Sequence, residues 1–287
     1  MLLAVLQGVS ELFPISSLGH TVLIPALLRW PVRESDESFL AFVVVLHLGT
    51  ALALIVFFWN TWVGIVRGLV RSIVRGRISD DRDERIAWLL VAGTIPVCIL
   101  GVLFQSSVRA LFGSPLAVSL FLVLNAFIMF AGEALRKRSR QRSPQAPDSA
   151  FPAESARLED LDWRRGALIG VAQGLALLPG VSRSGSAIVA GLLAGLDHED
   201  AATYSFLLAT PVILAASVLE IPKLLAPELH GMAGEALAGG VLAGLTAYAS
   251  VAFLTRYFRH NDLRPFGWYC LVLGGVSAVL FALKVIP

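Results

Sequence analysis

Residues Gln7 to His20 read QGVSELFPISSLGH, and the way this stretch is taken decides the rest of the chain. It puts Gln7, Ser10, Glu11, Ser16, Ser17 and His20 into an otherwise apolar N-terminus. Gln7 and Glu11 are four residues apart and share one helix face. Pro14 lacks an N–H and has a fixed φ, so it breaks or restarts the helix. Ser17 and His20, three residues apart, share a face of the segment after the break. The pattern predicts two short helices meeting at a turn, a carboxylate face before it and a Ser/His face after it. A signal peptide fits poorly, because the stretch lacks a basic n-region and a small-x-small cleavage site.

Composition sets the class. The chain has 287 residues, 56% hydrophobic and 15% charged, whereas a soluble domain carries roughly 25% charged residues. The mean hydropathy is +0.74. These values point to a membrane protein. The net charge of +2 gives no reason to expect nucleic acid as a partner. Cys98 and Cys270 stand alone in separate apolar runs, without disulfide or metal-type spacing.

Six segments have the roughly 20 apolar residues that a span requires: about 39–59, 86–105, 115–135, 202–221, 236–257 and 265–286. Residues 1–28 and 164–196 differ, because a Pro/Gly/Ser-rich polar centre interrupts each. They read as re-entrant helical hairpins, tolerated at membrane depth only where protein or a water-filled cavity covers the irregular backbone. Basic residues support this layout. Residues 60–85, 136–165 and 256–264 carry six, eight and three of them, seventeen in all, and fall on one side. Arg29, Arg33, Arg109, Lys223 and Lys284 fall on the other, with Arg183 inside a hairpin. The positive-inside rule makes the seventeen-residue side cytoplasmic. The expected fold is all-α and polytopic, with six transmembrane helices plus two re-entrant helical hairpins. Trp30, Trp59, Trp62, Trp163, Trp268 and Tyr269 read as an interfacial aromatic belt. His47 falls mid-span and reads as a packed, hydrogen-bonded histidine.

The second hairpin echoes the first. GVAQGLALLPGVSRSGSAIVAG aligns with AVLQGVSELFPISSLGHTVLIP with one gap, matching Gln7 to Gln173, Pro14 to Pro179 and Gly19 to Gly185. The chain then reads as one membrane domain over 1–287, with repeat 1 at about 1–135, a charged cytoplasmic linker at 136–163 and repeat 2 at about 164–287. The hairpins enter from opposite sides, which makes an inverted-topology repeat with broken helices near the midplane. Half-helix N-termini after Pro14 and Pro179 would turn free N–H groups and positive dipole ends inward. Beside them lie Ser16, Ser17, Ser182, Arg183, Ser184 and Ser186. A guanidinium with hydroxyls and helix N-termini is a phosphate-binding set, and an Arg at that depth implies a partner.

Here the sequence resembles the bacterial undecaprenyl-diphosphate phosphatases, the bacitracin-resistance proteins. The family's Glu/Gln-x-x-x-Glu and Pro-x-Ser-Ser-x-x-His stand as Gln7–Glu11 and Pro14–His20, and its Pro-Gly-x-Ser-Arg-Ser-Gly as Pro179–Gly185. His-Leu-Gly-Thr at 47–50, Gly-Thr-Ile-Pro at 93–96, Ser-Phe-Leu-Leu-Ala-x-Pro at 205–211 and Arg-Pro-Phe at 264–266 extend the match nearly end to end. Gln7 replaces a potential acidic metal ligand, Ala187 stands where the family often has Thr, and Cys270 where it often has Arg. The chain also begins about one helical stretch later than the family pattern, so an earlier start is expected.

The resemblance implies hydrolysis of the terminal phosphate of a C55 polyprenyl diphosphate, recycling the lipid carrier for peptidoglycan synthesis and conferring bacitracin resistance. It implies a multi-pass protein of the bacterial plasma (inner) membrane, with a site opening to the periplasmic, outer face. Arg183, Ser182 and Ser184, with Ser186, are expected to hold phosphate, and Ser16 either to join them or to position the turn as an N-terminal helix cap. Ser17 is the expected nucleophile, with His20 as its general base. In a rival arrangement, His20 activates water or forms the phospho-intermediate itself. Glu11, with Gln7, is expected to hold a divalent cation, Mg²⁺ or Ca²⁺, or Glu11 to donate a proton. Membrane lipids are the remaining expected partners, and a homodimer is compatible with the sequence. The alternative function is a transporter or flippase of phosphorylated polyprenyl carrier, since inverted repeats with broken helices are transporter architecture.

Overall fold

The computed structural model describes residues 1–30, 37–104, 111, 113–142, 158, 161–224 and 233–286. Every regular element of any length among them is helical. The first hairpin is α1 (Leu2–Ser10) and α2 (Ser17–Leu28). It is followed by α3 (Glu37–Phe57), α4 (Trp59–Arg75), α5 (Arg82–Leu103) and α6 (Pro115–Arg142). The second hairpin is α7 (Trp163–Ala172), a 3-10 turn (Gln173–Leu177) and α8 (Arg183–Leu193). The chain closes with α9 (His198–Leu224), α10 (Ala233–Tyr257) and α11 (Arg264–Ala282).

Five of these helices, α5, α6, α9, α10 and α11, are long and apolar enough to cross a membrane. A sixth span results if α3 and α4 are taken together, although they are bent 88° apart. The burial pattern is that of a multi-pass membrane protein. Apolar side chains spaced three and four apart face outward: Leu237, Val241 and Leu245 on α10, and Val272, Val276 and Val279 on α11. Gln7, Glu11, Asn125 and Gln173 are buried. Several hydroxyls within the helices are satisfied on the carbonyl four residues back, as Ser10 is on Leu6 (2.6 Å), Thr94 on Leu90 (2.7 Å) and Ser119 on Pro115 (2.8 Å). Where lipid offers no partner, this is how a polar side chain stays inexpensive.

Two differences from the sequence reading stand out. The stretch 60–85, expected as a basic loop, holds nearly all of helix α4, Trp59–Arg75. Its apolar residues recur with helical period between the arginines, which a count of charges does not register. The expected linker begins inside α6, which runs on to Arg142. Most of the remaining linker, and Arg33 and Arg109, lie outside the described residues.

Each hairpin is held in part by the opposite half of the chain. Helix α1 packs on α10, and α7 packs on α5. Small residues allow the approach. A Cβ on Gly170 would lie 2.3 Å from the Cα of Gly93, and one on Gly8 would lie 2.3 Å from the Ala243 carbonyl oxygen. Such contacts between backbones replace the hydrophobic effect as the glue between helices in lipid.

Candidate active site

Both hairpin turns end in the same way. Ser16 caps α2, accepting from the Gly19 N–H at 3.2 Å, and Ser182 caps α8, accepting from the Gly185 N–H at 3.1 Å. This capping uses one of the four donors that a helix start leaves open. The register puts Ser17 and Arg183 at equivalent first positions of their helices.

The two turns touch. A Cβ on Gly19 would sit 3.2 Å from the Gly180 Cα, and one on Gly185 would sit 3.3 Å from the Pro14 Cβ. Gly180 has φ +115° and lies against the backbone of α6, so a side chain there meets both strain and a wall. Asn125, from the middle of α6, ties the turns together. Its amide N–H donates to the Pro14 carbonyl, and its oxygen accepts from the Ser182 N–H, both at 3.0 Å. Ser184 adds a hydrogen bond to the Phe13 carbonyl at 3.1 Å and lies 3.0 Å from the Ser182 hydroxyl.

At this junction Glu11 is the centre of charge. Its Oε1 accepts from Arg183 Nη2 at 3.2 Å. Its Oε2 accepts from Ser17 Oγ at 2.6 Å and from Gln7 Nε2 at 3.0 Å, and lies 3.3 Å from His47 Nε2. Ser17 and Glu11 are each 8% exposed, so a buried carboxylate is met by a guanidinium and three further polar groups. A charge is tolerated at such depth only when it is paired in this way. Arg183 also donates to the Ser205 carbonyl at 3.4 Å, which steadies it toward α9.

His20 takes a different position from the one its spacing suggests. It is not paired with Ser17. Its Nδ1 lies 2.7 Å from the Ser16 carbonyl, and its Nε2 lies 2.7 Å from the Tyr269 hydroxyl, with the two rings stacked 5.6 Å apart. A carbonyl can only accept, so Nδ1 carries the proton, and in the neutral ring Nε2 accepts from Tyr269. Ser17, at the first position of α2, turns back to Glu11 instead. Ser16 adopts φ 70°, a left-handed conformation for a non-glycine residue. Such strain costs about 1–3 kcal/mol and is held only where the surroundings impose it. Here the Ser16 carbonyl is fixed by His20 and its hydroxyl by Gly19.

Three further residues complete the setting, and sequence reading missed their part in it. His47 is hydrogen-bonded, as expected, through Nδ1 to the Val43 carbonyl at 2.8 Å, but its other nitrogen faces Glu11. A hydrogen bond there needs one proton more than a neutral imidazole and a carboxylate carry. Tyr269, read as part of the aromatic belt, reaches inward to His20. Asn125 gave no signal beyond being an amide inside a span, which is itself a reason to look. Ser186 is buried, and its hydroxyl has no partner among the described residues.

No cluster of three or more His, Cys, Asp or Glu able to hold a metal ion occurs among the described residues. The oxygens at the junction nevertheless suit a hard cation. Gln7 Oε1 is buried without a partner, and Glu11 Oε1 accepts only from Arg183 among the described groups. Two such oxygens make less than half of a Mg²⁺ or Ca²⁺ shell, and phosphate oxygens are the usual complement.

A family model described as bacitracin resistance protein BacA matches residues 1–276. The chain is 50% identical over 293 residues to a protein named undecaprenyl-diphosphatase from Mycobacterium avium (strain 104), covering 97% of this chain and 95% of that one. It is 47% identical to undecaprenyl-diphosphatase 2 of Chromobacterium violaceum, covering 99% and 98%. It is 44% identical to the undecaprenyl-diphosphatase of Acidiphilium cryptum, covering 98% and 96%.

Proposed function

The chain belongs to the bacitracin resistance protein BacA family, and from that premise, with relatives named undecaprenyl-diphosphatase, we propose that it hydrolyses undecaprenyl diphosphate to undecaprenyl phosphate and inorganic phosphate. The observation that carries the reading is the junction of Arg183, Glu11 and Ser17 between two helix N-termini. It offers positive charge for a diphosphate, a hydroxyl as nucleophile and a carboxylate within reach of that hydroxyl's proton.

The terminal phosphate lies against Arg183, Ser182 and the open N–H groups of α2 and α8. These groups are preorganised for charge that develops on the transferring phosphoryl oxygens. Ser17 Oγ attacks the phosphorus, and its proton passes to Glu11 Oε2, 2.6 Å away. The bond to the bridging oxygen breaks, and the lipid monophosphate departs. Water then cleaves the serine phosphate, releasing inorganic phosphate, and Ser17 recovers a proton. The observed hydrogen bonds favour Glu11 over His20 as the base for Ser17. His20, once Tyr269 moves aside, is suited to activate the water of the second step. A divalent cation bound with the diphosphate would be held by Glu11 and Gln7 and would neutralise phosphate charge.

Two re-entrant hairpins, each buttressed by the opposite half of the chain, support an inverted-topology repeat of six spans. The distribution of basic residues supports an inner-membrane orientation with the site opening outward. Transport of the lipid carrier is the weaker reading, because a carrier has no use for a serine hydroxyl held on a carboxylate. The deciding experiment gives purified protein in detergent a C55 diphosphate and measures phosphate release. The reading requires release by the parent protein, its loss in Ser17→Ala and Arg183→Ala, and a labelled phospho-enzyme that maps to Ser17. Release at the parental rate by Ser17→Ala excludes that residue as nucleophile.

A further inference from the structure

Helix α4 presents three faces, and the hydrolytic site uses none of them. Ile65, Gly68 and Ser72 are buried on one, where Gly64 and Gly68 rest against Asp83 and Glu84 at the start of α5. A second face carries Trp59, Val66, Val70, Ile73 and Val74, which at 100° per residue form one stripe and are between 53% and 81% exposed. Along its edge runs a ridge of Arg67, Arg71 and Arg75, each one turn from the next. Arg71 pairs with Asp81 at 3.1 Å and Arg75 pairs with Glu84, while Arg67 forms no ion pair among the described residues. The helix is set at 88° to the preceding α3, whose twenty-one residues, Glu37–Phe57, are apolar almost throughout.

We propose that α4 lies in the headgroup layer of the membrane and makes a binding surface for anionic phospholipid. A helix perpendicular to its neighbouring span cannot itself cross, and it runs in the membrane plane. Its apolar stripe then enters the acyl boundary and its arginine ridge faces the headgroups, the arrangement of an interfacial amphipathic helix. Trp59 and Trp62, at the bend, are the residue type that favours this layer. Arg67 supplies the charge that selects an anionic headgroup. Lipid is favoured over a second copy of the chain because the stripe follows directly on the end of the apolar helix α3 and is flanked by arginines. Arg71 and Arg75, committed to Asp81 and Glu84, hold the helix against α5 and fix its depth.

The test uses full-length protein in nanodiscs of phosphatidylcholine with and without phosphatidylglycerol. An environment-sensitive fluorophore on Val70→Cys, in a Cys98→Ser background, should be quenched by lipid carrying a spin label near the headgroup and shielded from aqueous iodide. Quenching by iodide alone overturns the membrane placement. Shielding from both quenchers, in discs each shown to hold two chains, overturns it in favour of a second copy. Native mass spectrometry reads the anionic preference. Arg67→Gln should lower retained phosphatidylglycerol relative to phosphatidylcholine by about fivefold, the effect of one basic residue at an anionic surface. An unchanged ratio overturns the role of Arg67. Phosphate release from a detergent-soluble diphosphate should be unaltered in both variants, which separates this outcome from damage to the fold.

Discussion

The two hairpins share a plan of helix, turn and capped helix, but differ in the backbone of the turn, with Ser16 at φ 70° and Ser182 at φ −82°, and in what they carry. Each has a serine cap whose hydroxyl takes a glycine N–H three residues on, and each presses a turn against the other's capped helix start. At the equivalent first helical position one has Ser17 and the other Arg183. One turn has Glu11 before it, and the second has apolar residues there. Gln7 donates to Glu11, while its counterpart Gln173 donates to the Gly93 carbonyl at 3.4 Å, away from any charge. One scaffold is thus used twice, loaded on one side with proton-handling groups and on the other with a fixed cation. A site made of two unequal copies gains two helix N-termini aimed at one point, which a single hairpin cannot supply.

The contrast between the copies breaks most forcefully at their two unequal positions. Arg183→Ala should lower phosphate release by about a thousandfold or more, the scale on which an arginine stabilises phosphoryl transfer, with the protein still folded by thermal melting in detergent. Ser17→Ala should do the same and abolish phospho-enzyme labelling. Next comes the residue that joins the copies. Asn125→Ala removes one donor and one acceptor, so it should cost about 1–3 kcal/mol for each group left unpaired, seen as a lower melting temperature with reduced activity. The two glutamines then sharpen the contrast. Gln7→Leu should raise the divalent-cation concentration needed for half-maximal activity by about tenfold, as losses at the margin of a metal site do, and Gln173→Leu should leave that concentration unchanged. The smallest effect is expected for Tyr269→Phe. Loss of one neutral hydrogen bond to His20, about 0.5–1.5 kcal/mol, should change kcat by a few-fold with little change in KM or melting temperature.

Much of this was legible in residue order because the informative residues are polar groups in an apolar chain. Pro14 and Pro179 announced the turns, and the shared Gln, Pro and Gly positions announced that two such turns exist. Arg183 required a partner, and the partner found was Glu11, which the sequence had already singled out. The expected pairing of Ser17 with His20 rests on their spacing, and spacing says nothing about where the side chain at a helix's first position turns. That choice was made by Glu11, across the break in the chain. His47, Asn125 and Tyr269 come from three other helices, and a single sequence does not say which helices meet. Helix α4 is hard to read for a different reason: its arginines carry a topology signal that masks the apolar helical period between them.

The exchange of support between the halves has a bearing on how the protein is made. Helix α1 ends at Ser10, and the α10 against which it packs begins at Ala233. At about 5–20 residues per second, the first hairpin waits on the order of ten seconds or longer for its buttress. During that time it carries Glu11 into the membrane without Arg183 to meet it. The nascent chain therefore passes through a stage in which Glu11 has Gln7, Ser17 and His47 beside it but not its guanidinium, and arrival of the second hairpin both supplies that cation and completes the site. A chain cut short before α8 carries the nucleophile without the cation, so an unfinished copy is catalytically silent.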